Sequence, residues 1–138
     1  MRLVLDTNVV ASALFWNGTP RWLLQIARDK RIELFTSTAL LAELTNVLWR
    51  EKFDQKIAAA MFTIDQPIDR YAELAVLVRP ATVPRITPDP DDDVVIGTAL
   101  AAKSDCIVTG DRTFLVVGEY QGVRIVSVAM AVQLINAE

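Results

Sequence analysis

Short apolar runs alternate with helical patterns along almost the whole chain, and that alternation constrains the fold more than any other feature. Strand-like runs occur at 2–5 (RLVL), 32–36 (IELFT), 106–109 (CIVT) and 123–126 (VRIV). Each is rich in aliphatic or β-branched residues and is closed by a polar or helix-starting residue. Thr19-Pro20 opens a helical pattern whose apolar face is Trp22, Leu23, Ile26 and Ala27. Ser37 or Thr38 opens another, to about Arg50, and two more cover 54–63 and 66–79. A further helix runs from Pro90 to Ser104, Asp111 opens a short one, and Ser127 opens the last. Strands alternating with helices predict a parallel sheet covered on both faces.

The 138 residues suit one domain, 1–138. The loosest composition, RPATVPRITPDP at 79–90, holds four of the six prolines. Splitting the chain there would leave a C-terminal piece of fewer than about 50 residues, marginal for its own core. The stretch therefore reads as an extended connection inside the domain.

Several functional classes are excluded by what is missing. There is no histidine, so no Ser-His-Asp triad, no His-paired cysteine and no histidine-based acid–base chemistry. The single cysteine, Cys106, cannot form an internal disulfide or a multi-cysteine zinc site, and reads as a small packed hydrophobe. Catalysis must rest on carboxylates, lysine, hydroxyls or a metal. The net charge of −3 argues against a broadly basic nucleic-acid surface, but not against an acidic centre neutralised by cations. The longest apolar stretch, VVIGTALAA, is far short of the roughly 18 residues of a spanning helix. Asp6 and Asn8 interrupt the apolar start that a signal peptide would need. A cytoplasmic protein without membrane contact is expected. The 52% hydrophobic share, with Trp16, Trp22 and Trp49, fits a homodimer or a bound protein partner, although core packing is the commoner use of tryptophan.

The acids carry the chemistry. Open parallel sheets bind ligands beyond the carboxyl ends of their strands. Asp6 follows LVL and Asp111 follows CIVTG at that edge. Each could simply cap the next helix. Glu43 sits three after Leu40 and four before Val47, inside the apolar stripe of Leu40, Leu44, Val47 and Leu48, where a carboxylate needs a salt bridge, a flank position or a cation. DPDDD at 89–93 places four carboxylates at a helix start, where acids favour the positive helix end. Within it Asp93 precedes Ile96, Gly97 and Leu100 at helical spacing, so it is expected to begin the sheet-packed face, with Asp91 and Asp92 pointing elsewhere. Asp6, Glu43, Asp93 and Asp111 converging on one edge would repel one another unless divalent cations bind. An all-oxygen site suits Mg²⁺ or Mn²⁺, the chemistry of metal-dependent nucleases.

VLDTNV, LLAEL, DPDDDVVIGTALAAKSDCIVTGDRTFL and VRIVSV together resemble the PIN-domain family, in order and spacing over nearly the whole chain. Within that family they resemble the bacterial and archaeal toxin components of toxin–antitoxin pairs. The resemblance implies a three-layer α/β/α sandwich around a parallel sheet and metal-dependent endonucleolytic cleavage of RNA, leaving a 5′-phosphate and a 3′-hydroxyl. It implies Asp6, Glu43, Asp93 and Asp111 as the acids holding Mg²⁺ or Mn²⁺, with Thr7 and Asn8 supporting the first. A cognate antitoxin is the implied partner. Many relatives carry a further Asp where this chain has Thr113. Arg50, Lys52 and Arg112 are candidate phosphate contacts. Two alternatives remain. A phosphatase of the haloacid-dehalogenase type would normally carry a second Asp at the position of Asn8. The other is a catalytically weak or inactive PIN-fold interaction module, which Thr113 keeps open and which failure to bind Mn²⁺ would favour.

Overall fold

The computed structural model describes residues 1–50 and 65–138. The expected helix at 54–63, and Lys52, lie outside the described residues. Six strands form one sheet in the order β3-β2-β1-β4-β6-β5. The four expected strands are β1 (Arg2–Leu5), β2 (Glu33–Thr36), β4 (Cys106–Val108) and β6 (Val123–Val126), all parallel. The helices among the described residues are α1 (Thr7–Phe15), α2 (Thr19–Arg28), α3 (Thr38–Leu48), α4 (Asp65–Leu74), α5 (Pro90–Ala101), α6 (Arg112–Leu115) and α7 (Val128–Asn136).

Strand alternation divides the core between the two faces of the sheet. Leu3, Leu5, Leu34, Cys106 and Val108 pack with α1, α2, α3, α4 and α7. Val4, Phe35, Ile107, Val123 and Ile125 pack with α5 and α6. Neither face of the central strands meets water, which is why they read as continuous apolar runs. Cys106 is buried, as a small hydrophobe should be.

Two expectations need correction. The helix read over 66–79 ends at Leu74, and β3 (Val76–Leu77) pairs in parallel with β2 at the sheet edge. The run AVLV is short, β-branched and followed by Arg79-Pro80, so it fits a strand as well as a helix, and pairing with β2 decides it. The sheet is also not wholly parallel. β5 (Glu119–Tyr120) pairs antiparallel with β6 through a two-residue turn at Gln121 and Gly122. Both turn residues have positive φ, 48° and 87°, which matches the twist of a tight hairpin.

The proline-rich connection is extended and pinned by backbone hydrogen bonds. Val78 N–H donates to the Thr36 carbonyl at 2.9 Å, and Ala81 N–H donates to the Gly97 carbonyl at 2.9 Å. A Cβ at Gly97 would collide with the Ala81 carbonyl oxygen. Gly97→Ala is therefore expected to destabilise the protein by about 1–3 kcal/mol, the usual range for overpacking. Chemical denaturation measures this directly, and a neutral or stabilising effect would contradict the close approach.

Candidate metal centre

The carboxyl edge of the sheet reverses its winding between β1 and β4, where open α/β sheets bind ligands. Asp6 leaves β1 at this point. Its N–H donates to the Val108 carbonyl at 2.9 Å, so the tip of β1 stays paired with β4. Its Oδ1 accepts from the Thr7 N–H at 2.8 Å as α1 begins, and its Oδ2 accepts from the Thr109 hydroxyl at 2.7 Å. Asp6 thus does what a helix-opening carboxylate does while staying 6% exposed. The Thr109 hydroxyl in turn accepts from the Asp111 N–H at 3.1 Å. Asp111 caps α6, its Oδ1 accepting from the Thr113 N–H at 2.9 Å.

Glu43 reaches the same place from α3. It is half-buried, it pairs with Arg50 at 3.5 Å, and it lines the acidic cavity, so an ion pair and the cavity share its carboxylate. The placement of α3 depends on its first turn. Ser37 Oγ accepts from the Leu40 N–H at 3.3 Å, and lies 3.0 Å from Thr98 Oγ1 on α5. That contact joins the helix bearing Glu43 to the helix bearing the aspartate run.

The cavity these residues share holds about 430 Å³. Asp6, Thr7, Asn8, Glu43 and Asp111 all line it, together with Asp89, Asp91 and Asp92. Asp93 does not. Its carboxylate is turned to the proline-rich connection, accepting from the Thr87 N–H at 2.8 Å and the Ile86 N–H at 3.2 Å and pairing with Arg85 at 3.1 Å. The expectation that Asp93 faces the site and Asp92 points elsewhere is thus reversed. The reason lies in what α5 packs against. Asp93 and Gly97 are one turn apart, and Gly97 touches Ala81 of the connection, so that row faces the connection. Asp92 shares its row with Ile96 and Ala99, both fully buried on the sheet side. Because α5 is buried on nearly every side, the spacing of its apolar residues does not distinguish the two rows. Asn46, one turn after Glu43, also lines the cavity, and no sequence signal marks an exposed helical asparagine.

Carboxylates crowd the cavity, and Arg50 is the one cationic side chain among its described lining residues. The Asp92 carboxyl is pushed up to about 7, first by burial and then by Asp6, Asp89, Asp111 and Asp91. Asp6 is also raised by burial, against the lowering effect of its bonds to Thr109 and Thr7. Glu43 is raised by burial and by Asp91, while Arg50 pulls it down. Oxygen donors with unbalanced negative charge fit a hard divalent cation. Among the described residues no three carboxylates close tightly enough to grip an ion as they stand. The fit is one of donor chemistry and charge.

The Asp92 shift has a sign that can be tested. Its ordinary value is 3.8, so between there and about 7 the folded protein holds a proton that the unfolded chain releases. This contribution to stability is present at low pH and is lost as pH rises through the folded value. In EDTA, the Asp92 contribution is expected to lower the melting temperature from about pH 5 to about pH 8. Asp92→Asn should flatten that fall, and a pH profile identical to wild type would contradict the assignment.

The PIN domain family model matches residues 2–113. No curated protein matches the chain. PIN domains are typically nucleases and generally use divalent metals, usually Mg²⁺. The matched span carries β1 with Asp6, α3 with Glu43, the aspartate run and Asp111, and the six-stranded, mostly parallel sheet between helical layers agrees with it. The chain belongs to the PIN-domain family.

Proposed function

We propose that this protein is a metal-dependent endoribonuclease whose cation is held among Asp6, Asp92 and Asp111. The observation that carries the reading is the convergence of Asp6, Glu43, Asp92 and Asp111 on one cavity at the carboxyl edge of the sheet. Bound there, Mg²⁺ or Mn²⁺ supplies water activation and charge stabilisation at phosphorus. The protein's share is placement. Thr109 and the Thr7 amide hold both oxygens of Asp6 in one orientation. Glu43, half-buried at the cavity wall, orients the attacking water and accepts its proton. Asn8 and Asn46 offer amide donors to the scissile phosphate from the same wall. Arg50 and Arg112, both exposed, receive neighbouring backbone phosphates.

A toxin role, with an antitoxin and a homodimeric assembly, extends this reading. Its support is apolar surface left open on the single chain: Trp49 is 67% exposed and Val116 84%.

The test is cleavage of a loop-containing RNA by purified protein, with Mn²⁺ or with excess EDTA, beside Asp6→Asn. Cleavage is expected only with metal, and the variant should lose about 100-fold or more of the rate, the scale of losing a cation's stabilisation of the transition state. Equal cleavage by Asp6→Asn, or cleavage in EDTA, would contradict the proposal. Binding of RNA with no cleavage under any metal would favour an interaction module on the same fold.

A further inference from the structure

The aspartate run at 89–93 is split by the fold, and the split assigns Asp93 a different task. Its carboxylate faces the connection that precedes α5, Oδ1 through hydrogen bonds and Oδ2, which accepts none, through an ion pair. Oδ1 accepts from the Ile86 and Thr87 amides, and Oδ2 lies 3.1 Å from Arg85 Nε. The same guanidinium donates to the carbonyls of Thr87 at 3.3 Å and Pro88 at 2.9 Å. Thr87 closes the circuit. Its hydroxyl donates to the Asp89 carbonyl at 2.7 Å and accepts from the Asp89 N–H at 3.2 Å. Asp89 then caps α5, its Oδ1 accepting from the Asp91 N–H at 2.9 Å.

This network runs from Arg85 to Asp93 and brackets the three acids that line the cavity. Asp89, Asp91 and Asp92 repel one another, and Asp92 is repelled by Asp6 and Asp111 as well. Arg85 and Asp93 tie that turn to the connection, from the helix row that faces it. The pair's effect on overall stability is small, because Arg85 is 65% exposed and ion pairs with one open partner contribute little. Its effect on direction is not small, since four hydrogen bonds between these two side chains and the backbone of the connection depend on where they meet.

We propose that Arg85 and Asp93 form a positioning pair that holds the acidic first turn of α5 in register for a divalent cation. The pair touches neither cation nor substrate. This deepens the reading of the site given above and rests on it. Residues that orient the ligands of a metal set its affinity, and losing one typically costs about 10–100-fold.

The experiment is a calorimetric titration of the full chain with MnCl₂, with folding checked by circular dichroism, for wild type, Arg85→Gln, Arg85→Lys and Asp93→Asn. Arg85→Gln and Asp93→Asn should each weaken Mn²⁺ binding about tenfold. Arg85→Lys, which keeps a positive charge opposite Asp93, should recover part of the loss. Because Arg85 is exposed, its variants remain informative even if Asp93→Asn fails to fold. If Asp93 is itself a ligand, Arg85→Gln frees it and Mn²⁺ binds as tightly as before or tighter, which overturns the proposal. Variants that melt earlier but keep wild-type Mn²⁺ affinity also overturn it, leaving the pair a structural tie alone. Absence of Mn²⁺ uptake by wild type contradicts the site reading and this inference together. Uptake by wild type that no variant changes contradicts this inference alone.

Discussion

Asp6 is a carboxylate with 6% of its surface open, standing at the tip of a central strand, with Asp92 and Asp111 around the same cavity. Burying a charged group of this kind costs free energy unless hydrogen bonds or an opposite charge compensate it. Thr109 and the Thr7 amide supply hydrogen bonds, but among the described residues lining the cavity Arg50 is the one cation. That imbalance, with burial, raises the carboxyls of Asp6 and Asp92, and it is the charge that the proposed cation would neutralise.

Each acid is placed by a different part of the fold. Asp6 and Asp111 follow neighbouring parallel strands and are linked through the Thr109 hydroxyl. Glu43 arrives on α3, whose first turn meets α5 where Ser37 approaches Thr98. Asp89, Asp91 and Asp92 arrive on α5, which the proline-rich connection grips at both Gly97 and Asp93. Strand order, an inter-helix hydroxyl contact and an extended connection thus bring together residues more than 100 positions apart in the chain.

Much of this was legible in the residues. The four main strands and the parallel sheet followed from short apolar runs alternating with helical patterns, and Asp6 and Asp111 followed from their places after two of those runs. Glu43 was marked by a charge beside an apolar stripe. What the spacing did not show is that Asp92 rather than Asp93 lines the cavity. Helical periodicity identifies a buried face only when the opposite face is wet, and α5 is buried on both: by the sheet along Asp92, Ile96 and Ala99, and by the connection along Asp93 and Gly97. The glycine was the available signal, because a residue without a side chain in such a helix marks a close approach of another segment. The short strands β3 and β5 were illegible for a related reason. Two residues carry too little pattern, and their pairing is decided by the edges of strands distant in sequence or by a turn whose backbone is set by φ rather than by composition.

In the proposed site a divalent cation sits among Asp6, Asp92 and Asp111 while Asp93 remains engaged with Arg85. Anomalous diffraction from a crystal of the protein grown with Mn²⁺ locates the ion without reference to activity. An anomalous peak is expected within the cavity, in contact with Asp6 and Asp92. A peak on Asp93, or a Mn²⁺-soaked crystal with no peak at this edge of the sheet, would contradict it.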